Sequence, residues 1–268
     1  MTTVASAQLS LSVGDVAANR DAGLAAIDEA AAAGASLIVL PELSDTGYVM
    51  RSPDEAAALA DHEGTLGAWA AAAARTGMVV VGGLCVADGD GTLRNAAAVV
   101  DPTGVRALYR KAHLWDAEPD LFTAGDDPPP VVDTAAGRVA VMVCYDLEFP
   151  DWVRKAATAG ADILAAPVNW PKLADPPPGE RPAEVIKAQA AAATNGVWVI
   201  VADRCGVERG VDWVGGSVVV DPDGYPVAGP AGSGRPALLL ADIDPARARD
   251  KALGPRNDRF ADRRPALY

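Results

Sequence analysis

Three short apolar runs each hand over to a side chain able to do chemistry. Leu37–Leu40 is stopped by Pro41 and followed at once by Glu42. Arg106–Arg110 is followed by Lys111, and Val139–Val143 leads to Cys144, with a helical stretch a few residues later. A carboxylate, an amine and a thiol can serve as proton acceptor, cation and nucleophile. In α/β architectures reactive groups gather where strands end and loops begin. Taken singly, each has a plainer reading. Glu42 and Lys111 could be solvated surface charges, and Cys144 a small buried apolar side chain. Scarcity gives them weight. The chain has five lysines (Lys111, Lys155, Lys172, Lys187 and Lys251) and three cysteines (Cys85, Cys144 and Cys205).

The surrounding composition excludes several classes of chemistry. In 268 residues there are 36 acidic and 23 basic side chains, a formal charge of −13, and the pI is about 4.5. So acidic a chain is a poor match for a nucleic-acid partner, which is held by basic contacts to phosphate. The cysteines and the two histidines, His62 and His113, are scattered. Neither zinc-ligand spacing nor a disulfide framework is present, so no metal is expected, and reduced thiols fit a cytoplasmic protein. The N-terminus shows no secretory pattern, and no apolar window reaches the roughly 18–20 residues of a membrane helix. Half of the residues are apolar, enough for a sizeable core.

The elements that would carry the three residues alternate between strands and Ala-rich helices. Val4–Leu9, Leu37–Leu40, Met78–Val86, Leu93–Val100 and Arg106–Arg110 read as strands in the first half. Val139–Cys144, Ile163–Ala166, Val197–Ala202, Gly216–Val220 and Ala237–Ile243 do so in the second. Helices are predicted over Asp15–Ala33, over Asp54–Arg75 with a break near Glu63-Gly64, over Pro150–Ala159 and over Glu180–Ala192. Fully apolar strands between helices indicate sheets covered by helices. The turns Asp101-Pro102-Thr103-Gly104 and Asp221-Pro222-Asp223-Gly224 make those sheets mixed. The halves echo one another. Pro41 and Pro167, Gly77 and Gly196, and the two Asp-Pro turns recur at offsets of 126, 119 and 120 residues. Two similar α/β halves packed sheet on sheet are expected.

With its flanks, the set resembles the nitrilase superfamily of carbon–nitrogen hydrolases. The matching segments are Leu40-Pro41-Glu42-Leu43 with Thr46-Gly47-Tyr48, Tyr109-Arg110-Lys111-Ala112-His113-Leu114, and Val143-Cys144-Tyr145-Asp146-Leu147-Glu148-Phe149-Pro150 with Arg154. Pro167-Val168-Asn169-Trp170-Pro171, Gly216-Ser217 and Arg263-Arg264-Pro265 extend the match through almost the whole chain. The resemblance implies one carbon–nitrogen hydrolase domain over residues 1–268, a four-layer αββα sandwich of two mixed sheets, and a homodimer or larger homo-oligomer. It implies Glu42, Lys111 and Cys144 as catalytic residues, with Glu118 as a fourth that holds Lys111 and orients the substrate nitrogen. Tyr48, His113, Tyr145, Asn169 and Trp170 are the implied substrate-binding residues. Thr194-Asn195 and Gln189 depart from the family's usual pattern in the second half, away from the catalytic positions.

That set suits amide hydrolysis without a cofactor. A free cysteine is mostly protonated at neutral pH, with a pKa of about 8.5. Lys111 is expected to favour the thiolate, and Glu42 to take the thiol proton and pass it to the departing nitrogen. Burial would raise the Glu42 pKa. Lys111 and the backbone N–H of Tyr145 are the expected oxyanion donors. Cys-Tyr-Asp with a following Phe-Pro is similar to the amidase-type branches, whereas the nitrile-cleaving branch usually shows Cys-Trp-Glu. The expected reaction is hydrolysis of a small carboxamide to the acid and ammonia. N-carbamoyl amines or amino acids, ω-amides of 2-oxo acids and deaminated glutathione are the alternatives. Acidic substrates would need a cation in the pocket, with Arg181 and Arg204 as candidates by position. A non-catalytic protein on the same fold is the contrasting class, set against by the presence of all three catalytic residues.

Overall fold

The computed structural model describes residues 1–267. The first half comprises β1 (Thr2–Ser10), α1 (Val16–Ala32), β2 (Leu37–Val39), α2 (Pro53–Leu59), α3 (His62–Thr76), β3 (Val79–Ala87), β4 (Leu93–Asp101) and β5 (Gly104–Arg110). The second begins with β6 (Val131–Thr134), β7 (Gly137–Val141), a 3-10 turn (Cys144–Glu148), α4 (Pro150–Thr158), β8 (Ile163–Pro167) and α5 (Ala183–Asn195). It continues with β9 (Trp198–Ala202), β10 (Arg204–Cys205), β11 (Val207–Glu208), β12 (Val211–Asp212), β13 (Val218–Val220), β14 (Pro226–Ala228) and β15 (Ala237–Ile243).

Among the described residues, one large sheet has the order β10-β1-β2-β3-β4-β5 and a second β14-β13-β9-β8-β7-β6, while β11 and β12 form a small two-stranded sheet. Each large sheet contains a parallel triplet, β1-β2-β3 or β7-β8-β9, followed by antiparallel strands. The echo in the sequence is thus an echo in topology. The last strand breaks the symmetry, because β15 returns to pair antiparallel with β1 from Thr2↔Ile243 to Gln8↔Ala237.

Alternation along the strands sorts the side chains into layers, since successive residues point to opposite faces. Leu37, Val39, Val79, Val81, Ala97 and Val99 pack against the second sheet. Ile38, Leu40, Val80, Ala96, Ala98 and Val100 face a cluster formed with Ile27 and Ala30 of α1 and Trp69, Ala72 and Ala73 of α3. On the far side, Val153, Ala156 and Ala157 of α4 and Val185, Ala188 and Ala192 of α5 cover the second sheet. The result is the expected αββα sandwich. Full burial of one such large aliphatic side chain is worth about 1.5–3 kcal/mol.

Several boundaries differ from the sequence reading, each for a local reason. The break between α2 and α3 falls at Ala60-Asp61, before Glu63-Gly64, because the Asp61 side chain accepts from the Gly64 N–H at 3.3 Å and caps the new helix. The second-half helix runs over Ala183–Asn195, three residues later than expected at both ends. Its start sits just after Pro182, and Gly196 in the left-handed region ends it. Cys144 does not end a strand. β7 stops at Val141, and the Asp146 carboxylate takes the Val143 N–H at 3.0 Å, closing a turn in place of the ladder.

Candidate active site

Glu42 is held at the seam between the sheets. Its segment runs along β3, with Leu40 N–H donating to Val81 and Gly83 N–H donating to Pro41. A Cβ on Gly83 would lie 2.4 Å from the Glu42 Cα, so only glycine admits this close passage. From the opposite sheet, Asn169 Nδ2 donates to the Glu42 backbone carbonyl at 2.8 Å. Lys111 follows β5 directly, and its N–H donates to the carbonyl of Asn95 on β4. Gly125 N–H closes over the Lys111 carbonyl, and a Cβ there would meet the Arg110 carbonyl oxygen at 2.3 Å.

These anchors bring three buried charges together. Lys111 Nζ donates to Glu42 Oε1 at 2.7 Å and to Glu118 Oε1 at 2.8 Å. Asn95 Nδ2 donates to the same two oxygens at 2.7 and 3.3 Å. Tyr48 donates its hydroxyl to Glu118 Oε1 at 2.7 Å, and the Trp115 N–H donates to Glu118 Oε2 at 3.0 Å. Both Glu118 oxygens are therefore engaged. Glu42 Oε2, by contrast, is buried with no hydrogen-bond partner among the described residues. Burial pushes the Glu42 pKa up, against the pull of Lys111 and Asn95. For Lys111 burial works to lower the pKa, but the two carboxylates outweigh it and hold the ammonium charged.

Cys144 opens the 3-10 turn with φ of 47°, a left-handed conformation uncommon for a residue with a side chain. Asp146 fixes that turn. Besides the Val143 N–H, it accepts from Tyr109 Oη at 2.7 Å and from the His113 N–H at 3.0 Å, and it contacts His113 Nδ1 at 2.7 Å. The Cys144 thiol is 3.7 Å from the Asn169 carbonyl oxygen. Burial first, and then the Glu42 carboxylate, raise its pKa well above the ordinary thiol range, while Lys111 opposes them. Lys111 thus favours the thiolate, as expected, but against the stronger pull of burial and of Glu42. Its charge is shared between two carboxylates.

Cys144, Tyr145 and Trp170 line a cavity of about 250 Å³ with Trp115, Glu148, Pro171, Leu173, Glu184 and Lys187. Tyr48 and Glu118 line a neighbouring one of about 430 Å³, walled by Trp115, Pro171, Leu173 and Trp213 among others. Asn169 and His113 line neither. Asn169 is buried between the Glu42 backbone carbonyl and the Cys144 thiol, and His113 stacks on Phe149 with centroids 3.8 Å apart. Arg204 is fully buried, paired with Glu208 at 3.0 Å, and Arg181 lies on the exterior against Gln189. Neither arginine reaches these cavities. Asn95 and Asp203 were not singled out from sequence. Asp203 accepts from the N–H groups of Trp170, Arg204 and Gly216, fixing the pocket wall. Asn95, an uncharged polar residue directly before the apolar run Ala96–Val100, is the available signal.

Among the described residues no group of three His, Cys, Asp or Glu side chains could hold a metal ion. No helix there is long and apolar enough to cross a membrane.

Residues 3–252 match the carbon-nitrogen hydrolase family. A protein named nitrilase from Pyrococcus abyssi is 37% identical over 246 residues, covering 90% of this chain and 89% of that one. A 2-oxoglutaramate amidase from Bacillus subtilis is 28% identical, covering 78% of each. Among solved structures, a mutant amidase from Nesterenkonia sp. AN1 bears acrylamide added to its active-site cysteine. It superposes with a TM-score of 0.84 at 30% identity, covering 100% of this chain and 98% of that one. A sandwich carrying this buried Glu-Lys-Glu cluster beside a cysteine on a tight turn defines a hydrolase of carbon–nitrogen bonds other than peptide bonds. The chain belongs to the carbon-nitrogen hydrolase family, as an amidase-type member of the nitrilase superfamily.

Proposed function

We propose that the chain hydrolyses a small carboxamide to the carboxylic acid and ammonia through a thioester on Cys144. The observation that carries this reading is the division of labour between the two glutamates. Glu118 has both oxygens occupied, whereas Glu42 keeps one buried oxygen without a hydrogen-bond partner and acts electrostatically on the Cys144 thiol.

As Sγ attacks the amide carbon, its proton passes to Glu42 Oε2. The oxyanion is met by Lys111 and by the Tyr145 N–H. Lys111 Nζ has three donors, of which two are spent on carboxylates. Tyr145 lies in the first turn of the 3-10 segment, where N–H groups lack intrahelical partners. The C–N bond breaks as Glu42 returns the proton to nitrogen, and ammonia leaves. Water then attacks the thioester, gives a proton to Glu42, and the C–S bond breaks with the thiol reprotonated. Tyr48 and Asn95 hold Glu118 in place, and Glu118 holds Lys111. Asn169 and His113 act through the backbone positions of Glu42 and Cys144, whereas Tyr145 and Trp170 wall the cavity.

The test is mass spectrometry of the protein incubated with a panel of amides, N-carbamoyl compounds and nitriles, with hydroxylamine as trap. Acyl adducts on Cys144 and hydroxamates from simple amides support the reading. Release of carbon dioxide would favour the N-carbamoyl alternative. No adduct and no ammonia across the panel would overturn it in favour of a non-catalytic role. The same proposal takes the chain to be a homodimer or larger homo-oligomer in the cytoplasm, which light scattering and cell fractionation would check.

A further inference from the structure

The wall of the Cys144 cavity has a sign. Its charged lining is Glu148, Glu184 and Lys187. Lys187 Nζ is 2.6 Å from Glu148 Oε1, so these two neutralise each other. Glu184, half-buried in the first turn of α5, has no hydrogen-bond or ion-pair partner among the described residues. The remaining lining includes the aromatic side chains of Trp115, Tyr145 and Trp170. A lone carboxylate among aromatic rings is a setting for a cation, because ring faces and carboxylate attract positive charge together. No unpaired cation lines this cavity to receive a carboxylate, since Arg181 and Arg204 are engaged elsewhere. The net charge of −13 adds a long-range field of the same sense.

We propose that Glu184 is a specificity-determining residue of the Cys144 cavity, selecting amides whose far end carries an ammonium group over those ending in a carboxylate. This rests on the amide-hydrolase reading above and names its substrate class. The reacting amide lies at Cys144, and the ammonium end of the molecule lies at Glu184 toward the mouth. Because Glu184 is partly solvated, the preference is modest and screened by salt.

The experiment compares kcat/KM at pH 7 for 4-aminobutanamide, its neutral isostere pentanamide and succinamate. The expected order is ammonium above neutral above carboxylate, with about a fivefold to tenfold advantage of ammonium over neutral that shrinks at high salt. Glu184→Gln should collapse the ammonium-to-neutral ratio toward one, and Glu184→Lys should favour succinamate. A wild-type preference for succinamate, or a ratio that Glu184→Gln does not move, would overturn the proposal. A second measurement needs no turnover: the rate at which iodoacetamide alkylates Cys144. Protection by 1,4-diaminobutane but not by succinate, lost in Glu184→Gln, supports the site. Equal protection by both would sink it. If no amide is hydrolysed yet the diamine protects, the reaction reading fails and the cation site stands.

Discussion

Asn169 ties the Glu42 backbone to the Cys144 thiol: its side-chain amide donates to the Glu42 carbonyl at 2.8 Å, and its own carbonyl oxygen lies 3.7 Å from Sγ. The candidate base belongs to one sheet and the nucleophile to the other, so this residue spans the seam between them. Asn169→Ala removes the side-chain link and leaves a buried carbonyl unpaired. Such a loss costs about 1–3 kcal/mol of stability. Misplacing the base should lower kcat by roughly tenfold to a hundredfold, with KM changing less. Steady-state kinetics beside a thermal melt would check both. Unchanged kcat would mean that the seam does not position the base.

The three thiols should behave differently. Burial pushes Cys85 up to about 12 and Cys205 up to about 11, and neither lines the cavities described above. Cys144→Ala should abolish turnover, whereas Cys85→Ser and Cys205→Ser should keep most of it at some cost in stability. Peptide mapping after alkylation should find Cys144 labelled first, because it alone of the three faces a cavity. Hydrolysis persisting in Cys144→Ala would remove it as nucleophile.

Much of this site was legible because it sits at chain punctuation. Pro41 after an apolar run marks where Glu42 leaves its strand, and Lys111 stands directly after β5. What stayed hidden depends on contacts between distant segments. β15 is readable as a strand, but nothing local reveals that it pairs with β1 rather than with the second sheet. Trp170 was readable as a pocket wall, yet the Asp203 that fixes it lies 33 residues further on. Arg204 looked available for a substrate carboxylate, and only its buried pairing with Glu208 shows that it is not.

Lys111 neutralises two buried carboxylates that otherwise face each other. Lys111→Met should therefore do more than remove an oxyanion donor, which alone costs about 100- to 1000-fold in rate. Removing one partner of a buried ion pair typically costs about 3–5 kcal/mol. The loss should be relieved by protonating one glutamate, so the variant should gain thermal stability on acidification from pH 8 to about 5.5. Melting curves across that range would show it. A Lys111→Met protein that remains active would refute the oxyanion role.

Asp203 gives a pH dependence of its own. Burial raises its pKa from 3.8 to about 7, against the three backbone N–H groups and Arg204 that favour its charge. Between those two values the folded chain holds a proton that the unfolded chain has released. Folding stability should therefore fall as pH rises from about 4 to 7 and level off above, which is opposite to an ion-paired aspartate. Asp45, also raised to about 7 by burial, adds to the same slope. Asp203→Asn stays neutral throughout, so it should flatten part of the slope while lowering stability everywhere, because its amide turns a donor toward backbone donors. Each kcal/mol appears as about 2–4 °C in Tm for a chain of this size. Calorimetry of both proteins at pH 5, 6, 7 and 8 would measure the difference. Because Asp203 also holds the Trp170 backbone, the variant should raise KM for amides more than it lowers kcat. Parallel pH slopes in the two proteins would show that Asp203 does not titrate in this range.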